Sequence, residues 1–212
     1  MKNQILVLVI FFTSLGLYAQ NGAYQKAMGE AMGAFAEAKT AEDLNAAANT
    51  FTRIAAVSNG EYLPDYYAAL SLINESFYLT DGANRDRLAD KALEHIEAAE
   101  AISPNNAELE VLRGFALTAK MVVDPATRGQ QYSPAISRHY GKAMQMDPKN
   151  PRAVAMMARN DLGMAQFFGS DPAAACAMAQ RSIALFDTET PAGFEPRWGK
   201  NVAMEVTATC KQ

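Results

Sequence analysis

Two histidines, two cysteines and a handful of paired carboxylates are the residues of this chain whose types could do chemistry. A metal site needs clustered imidazoles, thiolates or carboxylates. His95 and His139 stand forty-four residues apart, each alone in its segment and each one position before a large apolar residue, Ile96 or Tyr140. They read as surface positions on equivalent helices rather than as ligands. Glu94/Glu97 and Glu108/Glu110 have the spacing of solvated helix faces. Nucleophilic catalysis needs a nucleophile with a base in reach. The chain has no Gly-x-Ser-x-Gly elbow, no Ser/Lys pair and no Gly-rich phosphate loop. The expectation is a protein with no catalytic residue, no metal and no cofactor.

Cys176 and Cys210 are the only cysteines. An even number in an exported chain favours a disulfide. Such a bridge would close a loop of about 34 residues, worth roughly 3–4 kcal/mol in the chain-entropy model. Two buried free thiols and a redox pair are the rivals, and no Cys-x-x-Cys supports the latter.

Export itself is read from the N-terminus. Lys2 is followed by an apolar run from Ile5 to Leu17, and Leu17-Tyr18-Ala19 then offers a small residue before Gln20. This is the layout of a signal peptide over 1–19, with cleavage near Ala19/Gln20 and a mature chain 20–212 that is periplasmic or secreted. The apolar run is short for a membrane span, and no second stretch of about 18 apolar residues follows. The net charge is −4, with both signs interspersed. That gives no nucleic-acid footprint, which needs a concentrated basic face.

The positioning elements come from a repeat. Pro64, Pro104, Pro148 and Pro191 are spaced 40, 44 and 43 residues apart. Proline biases the residue before it away from helix, so these are joints. Before each joint, small and large residues recur at steps of three and four: Ala47-Phe51-Ile54-Val57, Ala92-Ile96-Ala99-Ile102, Ile136-Tyr140-Ala143-Met146, and Ala175-Ala179-Ser182-Leu185. Those steps share one helix face. Second amphipathic helices follow over Asp65–Leu79, Ala107–Met121 and Arg152–Phe167. Ser133-Pro134 and Asp171-Pro172 read as an N-cap followed by Pro in the first turn. Gly29 and Gly33, four apart, suggest close helix packing. The expected hairpins are about 23–63, 64–103, 104–147 and 148–190, with a cap over 195–212 in which Trp198 tucks against the last hairpin. Reading Trp198 as a ligand-stacking residue is the alternative.

Pro104-Asn105-Asn106-Ala107, Pro148-Lys149-Asn150-Pro151 and the small residue ten after each joint, Gly114 or Ala158, resemble tetratricopeptide repeats. The usual period is about 34. Here the excess is assigned to the segment between paired helices, Val122 to Ser133, and the early Trp of the repeat is missing. Glu61 to Ala69, Val123 to Tyr132 and Pro196-Arg197-Trp198-Gly199 are further similar to a secreted tetratricopeptide-type family typical of Bacteroidetes. The resemblance implies an all-α, right-handed α-solenoid of about four stacked helical hairpins (TPR-like) with a C-terminal capping helix, and implies no catalytic activity.

A solenoid offers a concave surface. Arg152, Ala155 and Arg159 of one repeat, and Glu108, Val111 and Phe115 of the previous one, are expected to face it. Arg159 and Asn160 could hold a carboxylate or a backbone, Arg through its planar donor fork. The rival reading pairs Arg159 with a local acid such as Asp161. Arg128 and Tyr132 mark the 122–133 loop as a second binding surface. The expected function is an adaptor for a protein or peptide, bound in the groove or at that loop. A structural subunit of an envelope complex is the alternative, and a small-molecule binder or hydrolase is a third reading.

Overall fold

The computed structural model describes residues 22–58 and 60–211. The expected signal peptide and its cleavage point lie outside them. The chain is an all-α helical-repeat protein, with nine helices and no strand among the described residues. They are α1 (22–37), α2 (Ala41–Val57), α3 (Leu63–Tyr78), α4 (Gly82–Ile102), α5 (Ala107–Met121), α6 (Pro125–Met146), α7 (Pro151–Phe168), α8 (Ala173–Thr188) and α9 (Lys200–Thr209).

The joints work through their Asn and Pro side chains. Asn105 takes a left-handed conformation (φ 58°), which Asn tolerates better than most residues. Asn106 Oδ1 then accepts from the Glu108 N–H at 2.9 Å to cap α5. At the next joint Asn150 Oδ1 accepts from the Ala153 N–H at 2.9 Å, with Pro151 in the first turn of α7. Each cap satisfies a helix-terminal donor that otherwise has no partner.

α3 is the most buried helix. Every residue from Pro64 to Ile73 is shielded, because α2, α4 and α5 all pack on it. α3 also touches α5, and α5 touches α7, whereas the second helices α4, α6 and α8 make no comparable contact. That asymmetry gives the stack an inner row and an outer row. Small residues let the rows approach: a Cβ at Gly114 would lie 2.4 Å from the Tyr140 ring.

Four details differ from the sequence expectation. The segment 122–133 is not a loop. Asp124 Oδ1 accepts from the Thr127 N–H at 3.3 Å and Pro125 opens the first turn, so α6 starts there and runs to Met146. Ser133-Pro134 therefore falls inside α6; one proline removes one helical donor, and the helix continues past it. The long period is a matter of long second helices, 21 residues in α4 and 22 in α6. Gly29 and Gly33 do not mediate close packing, since a Cβ at either would meet nothing within 4 Å.

The fourth difference concerns Trp198. The segment 189–199 between α8 and α9 does not stay with the last hairpin. It returns along the inner row, where the Tyr67 hydroxyl donates to the Phe194 carbonyl at 2.8 Å. The Phe194 ring meets Tyr24 edge-on at 6.2 Å. Trp198 reaches α3 and α5: its indole N–H donates to the Tyr66 hydroxyl at 2.7 Å, and its ring stacks on Phe115 at 5.8 Å. Burying an aromatic among other aromatics, with a partner for its one N–H, outweighs a local contact. α9 then packs on α7 and α8. A Cys176–Cys210 disulfide (Cα–Cα 5.9 Å) fixes its far end.

Candidate functional site

Two cavities are built by the inner row. The smaller, about 670 Å³, lies at the joint end beside Glu108, Arg152 and Glu189. These three charges are committed to one another. Arg152, only 4 % exposed, donates through Nε to Glu108 Oε1 at 2.7 Å and through its other nitrogens to Glu189. Glu108 also accepts from Asn150 Nδ2 at 2.6 Å and from the Tyr66 hydroxyl at 3.0 Å. Burial lowers the Arg152 pKa, but the Glu108 and Glu189 carboxylates outweigh it and hold the guanidinium above its ordinary value. Arg152 is thus an internal tie between α5, α7 and the returning segment, and is not free for a partner.

The larger cavity, about 910 Å³, opens between α5, α6 and α7 with Phe77 of α3 at one side. Its walls are mainly apolar: Met121, Met156 and Met164 line it, with Pro134, Phe167 and Phe168. Methionine thioethers are flexible and polarisable, and suit the face of a large unsaturated ligand. Phe167 and Phe168, at the end of α7, are 65 % and 74 % exposed and pack edge-on at 5.1 Å. They end in Gly169, whose left-handed conformation (φ 67°) stops the helix. Pro134 has no N–H, so the carbonyl of Gln130, also in this wall, loses its helical donor.

Four polar side chains converge on this apolar space. The Tyr140 and Thr118 hydroxyls lie 3.2 Å apart. Burial pushes the Tyr140 phenol up to about 12, although Arg159 and Thr118 oppose the shift, so it stays a neutral donor. Asn160 Nδ2 donates to Ser137 Oγ at 3.1 Å. Arg159 differs from the other three. Its guanidinium carbon sits 5.0 Å above the Phe115 ring, and its Nη2 is buried with no acceptor. It does not pair with Asp161. A buried charged donor left unpaired is costly, and such sites normally await a ligand or water.

The residues singled out from sequence therefore divide. Arg159 and Asn160 come together in the large cavity. Phe115 lies beneath Arg159 and stacks with Phe77 at 5.4 Å and with Trp198 at 5.8 Å. Arg128 grips Asp86 with both terminal nitrogens, at 2.7 and 2.8 Å, and Tyr132 packs half-buried against the core. Neither presents a loop surface. His95 and His139 each meet an acid of the neighbouring inner helix: Asp65 Oδ1 and Glu110 Oε2, both at 2.7 Å. Sequence reasoning missed the methionines and the paired aromatics at the ends of α3 and α7, Phe77-Tyr78 and Phe167-Phe168. Their signal was position: apolar residues at a helix end, outside the core stripe. Among the described residues no group of three or more His, Cys, Asp or Glu is placed to hold a metal ion, and no helix is long and apolar enough to cross a membrane.

No family model matches the chain, and no curated protein matches it. Among solved structures the chain is similar to the HusA haemophore from Porphyromonas gingivalis, at 28 % identity and a TM-score of 0.80. The match covers 89 % of this chain and 92 % of that one.

Proposed function

We propose that this protein is an exported carrier for a large, flat, mainly apolar small molecule that bears carboxylates, of the haem class. The observation that carries the reading is the 910 Å³ cavity lined by a part-buried cation, Arg159, whose Nη2 is buried without an acceptor. Its size falls in the range of small-molecule sites, about 300–1,000 Å³, and its few convergent polar groups are what such sites use to fix orientation. The likeness to a haemophore supplies the ligand class. Met121, Met156, Met164 and Phe167 would cover the macrocycle, and Arg159 would take a carboxylate through its planar fork. The disulfide supports an oxidising compartment, periplasmic or extracellular. The repeat is read as tetratricopeptide-type, supported by Gly114 and Ala158 at matching offsets from their joints.

The test is a titration of the purified protein with haem, followed by Soret absorbance and by quenching of Trp198, the sole tryptophan. Saturable 1:1 binding that weakens about ten-fold or more in Arg159→Met is expected, the usual size of a lost charge-assisted bond. No saturable binding by the intact protein would refute the reading.

A protein or peptide partner is the second reading, favoured by the exposure of Phe167 and Phe168 at the cavity mouth. It places the contact on that rim, because residues 189–199 already occupy much of the inner face. Cross-linking capture that survives Arg159→Met but is lost in Phe167→Ser/Phe168→Ser would favour it.

A further inference from the structure

We propose that Trp198, which lies outside the large cavity, sets that cavity's preference for carboxylates by holding Phe115 and, through it, Arg159. This rests on the haem-class reading above.

Arg159 makes no ion pair among the described residues; its guanidinium reaches the Tyr140 hydroxyl on one side, leaves Nη2 without an acceptor, and rests 5.0 Å above the Phe115 ring, the flat surface that supports it. A cation over an aromatic face is held by the ring quadrupole while its N–H groups stay free. Phe115 can serve as that platform only if its own ring is fixed. Phe77 stacks on it at 5.4 Å with an interplanar angle of 25°, and Trp198 at 5.8 Å with 21°. Phe77 is itself partly exposed at the cavity, so it is the looser support. Trp198 is the firmer one. Its indole N–H is bonded to Tyr66, whose hydroxyl donates to the Glu108 carboxylate. The next residue, Gly199, has φ 103°, and a Cβ there would press on Arg152 and Phe186 at 3.1 and 3.2 Å. The indole is thus fixed through its N–H and through the backbone beside it. Trp198 lines neither of the two cavities, so it is a positioning residue: it keeps the Arg159 guanidinium aimed into an apolar cavity.

A structural role and this role part on one readout, the distinction between acid and ester. The probes are haem and haem dimethyl ester, titrated into the full disulfide-intact protein and its variants. The intact protein is expected to bind haem about ten-fold or more tightly than the ester. Arg159→Met should lose that difference and leave ester binding within two-fold. Trp198→Ala should lose most of the same difference, again with ester binding within two-fold, and Trp198→Phe should restore it by keeping the stack. The double variant Trp198→Ala/Arg159→Met should discriminate no less than Arg159→Met alone, since both act on one contact. Phe115→Leu, which keeps an apolar core side chain, should mimic Trp198→Ala and serves if that variant folds poorly. Equal losses for haem and ester in Trp198→Ala and Phe115→Leu would overturn the proposal, as would an unchanged preference or additive effects with Arg159→Met. Binding of both probes with equal affinity by the intact protein would overturn it while leaving the haem-class reading standing; binding of neither would overturn both.

Discussion

Replacing Gly114 by alanine sets two opposed effects against each other. Gly114 sits in the middle of α5, where alanine is the better helix former by about 0.8–1.0 kcal/mol. Against that gain, the new methyl would lie 2.4, 2.7 and 2.8 Å from three ring carbons of Tyr140. That ring is 1 % exposed and tethered through its hydroxyl to Thr118, so it cannot simply swing away. Overpacking a fixed core usually costs about 1–3 kcal/mol. With three contacts under 3 Å the cost falls in the upper part of that range, about 2–3 kcal/mol, so the clash wins by roughly 1–2 kcal/mol and in a chain of this size Tm should fall by about 2–8 °C. Tyr140 also lines the large cavity, so any retreat of its ring alters that space and, on the proposed function, should weaken haem binding. Scanning calorimetry and a Soret titration read the two effects. Gly33→Ala is the control: its Cβ meets nothing, so the same propensity gain should appear alone as a slight rise in Tm. A Gly114→Ala protein as stable as the parent, with unchanged affinity, would refute the claim that the glycine exists for the Tyr140 contact.

Arg152→Met strands Glu108 and Glu189 in a buried setting and should cost about 3–5 kcal/mol in urea unfolding, with partial recovery on adding Glu189→Gln. Cys176→Ser/Cys210→Ser should lose up to about 3–4 kcal/mol, the chain-entropy value for a loop of this length, and dithiothreitol should lower the parent's Tm but not the variant's. Burial pushes the Glu110 carboxyl up, but hydrogen bonds from Lys142 at 2.5 Å and His139 at 2.7 Å outweigh it and hold the group below its ordinary value. A depressed folded pKa adds stability that is fully present above the ordinary carboxylate range and is lost as pH falls through the folded value. Glu110→Gln should therefore show a shallower loss of stability below about pH 4 than the parent, measured by urea midpoints.

The solenoid was legible because its determinants are local. Prolines at fixed spacing, Asn caps and a small/large stripe act over a few residues each, and these define α5, α7 and their joints. The start of α6 was missed because Ser133-Pro134 carries the same local signal as a true helix start. Only the competing cap at Asp124-Pro125, nine residues earlier, decides it. The path of Trp198 was not legible at all. Nothing near Pro196-Arg197-Trp198-Gly199 specifies Tyr66 or Phe115; those contacts arise once the inner row has assembled a surface for an indole. The site divided the same way. Arg159 and Asn160 were readable as donors on one helix, while the apolar walls come from three helices whose end residues look unremarkable in each segment. Arg152 and Arg159 have the same charge and lie two turns apart on one helix, and their fates differ through partners from distant segments, Glu189 for one and an aromatic platform for the other.

The returning segment also changes how the chain can come apart. An array of stacked hairpins is quasi-one-dimensional: each unit leans on its neighbours, and an end can fray while the rest persists. Here Tyr67 is bonded to Phe194 and Tyr66 to Trp198, across 127 and 132 residues of chain. Those ties make a closed circuit of an open row, so the second hairpin cannot melt without freeing the C-terminal cap, and the cap cannot lift without uncovering the second hairpin. Such long closures must wait until the intervening hairpins are in place, which puts them late in folding and makes that last step slow. In return the second hairpin and the C-terminal cap are expected to denature together, at a single melting point.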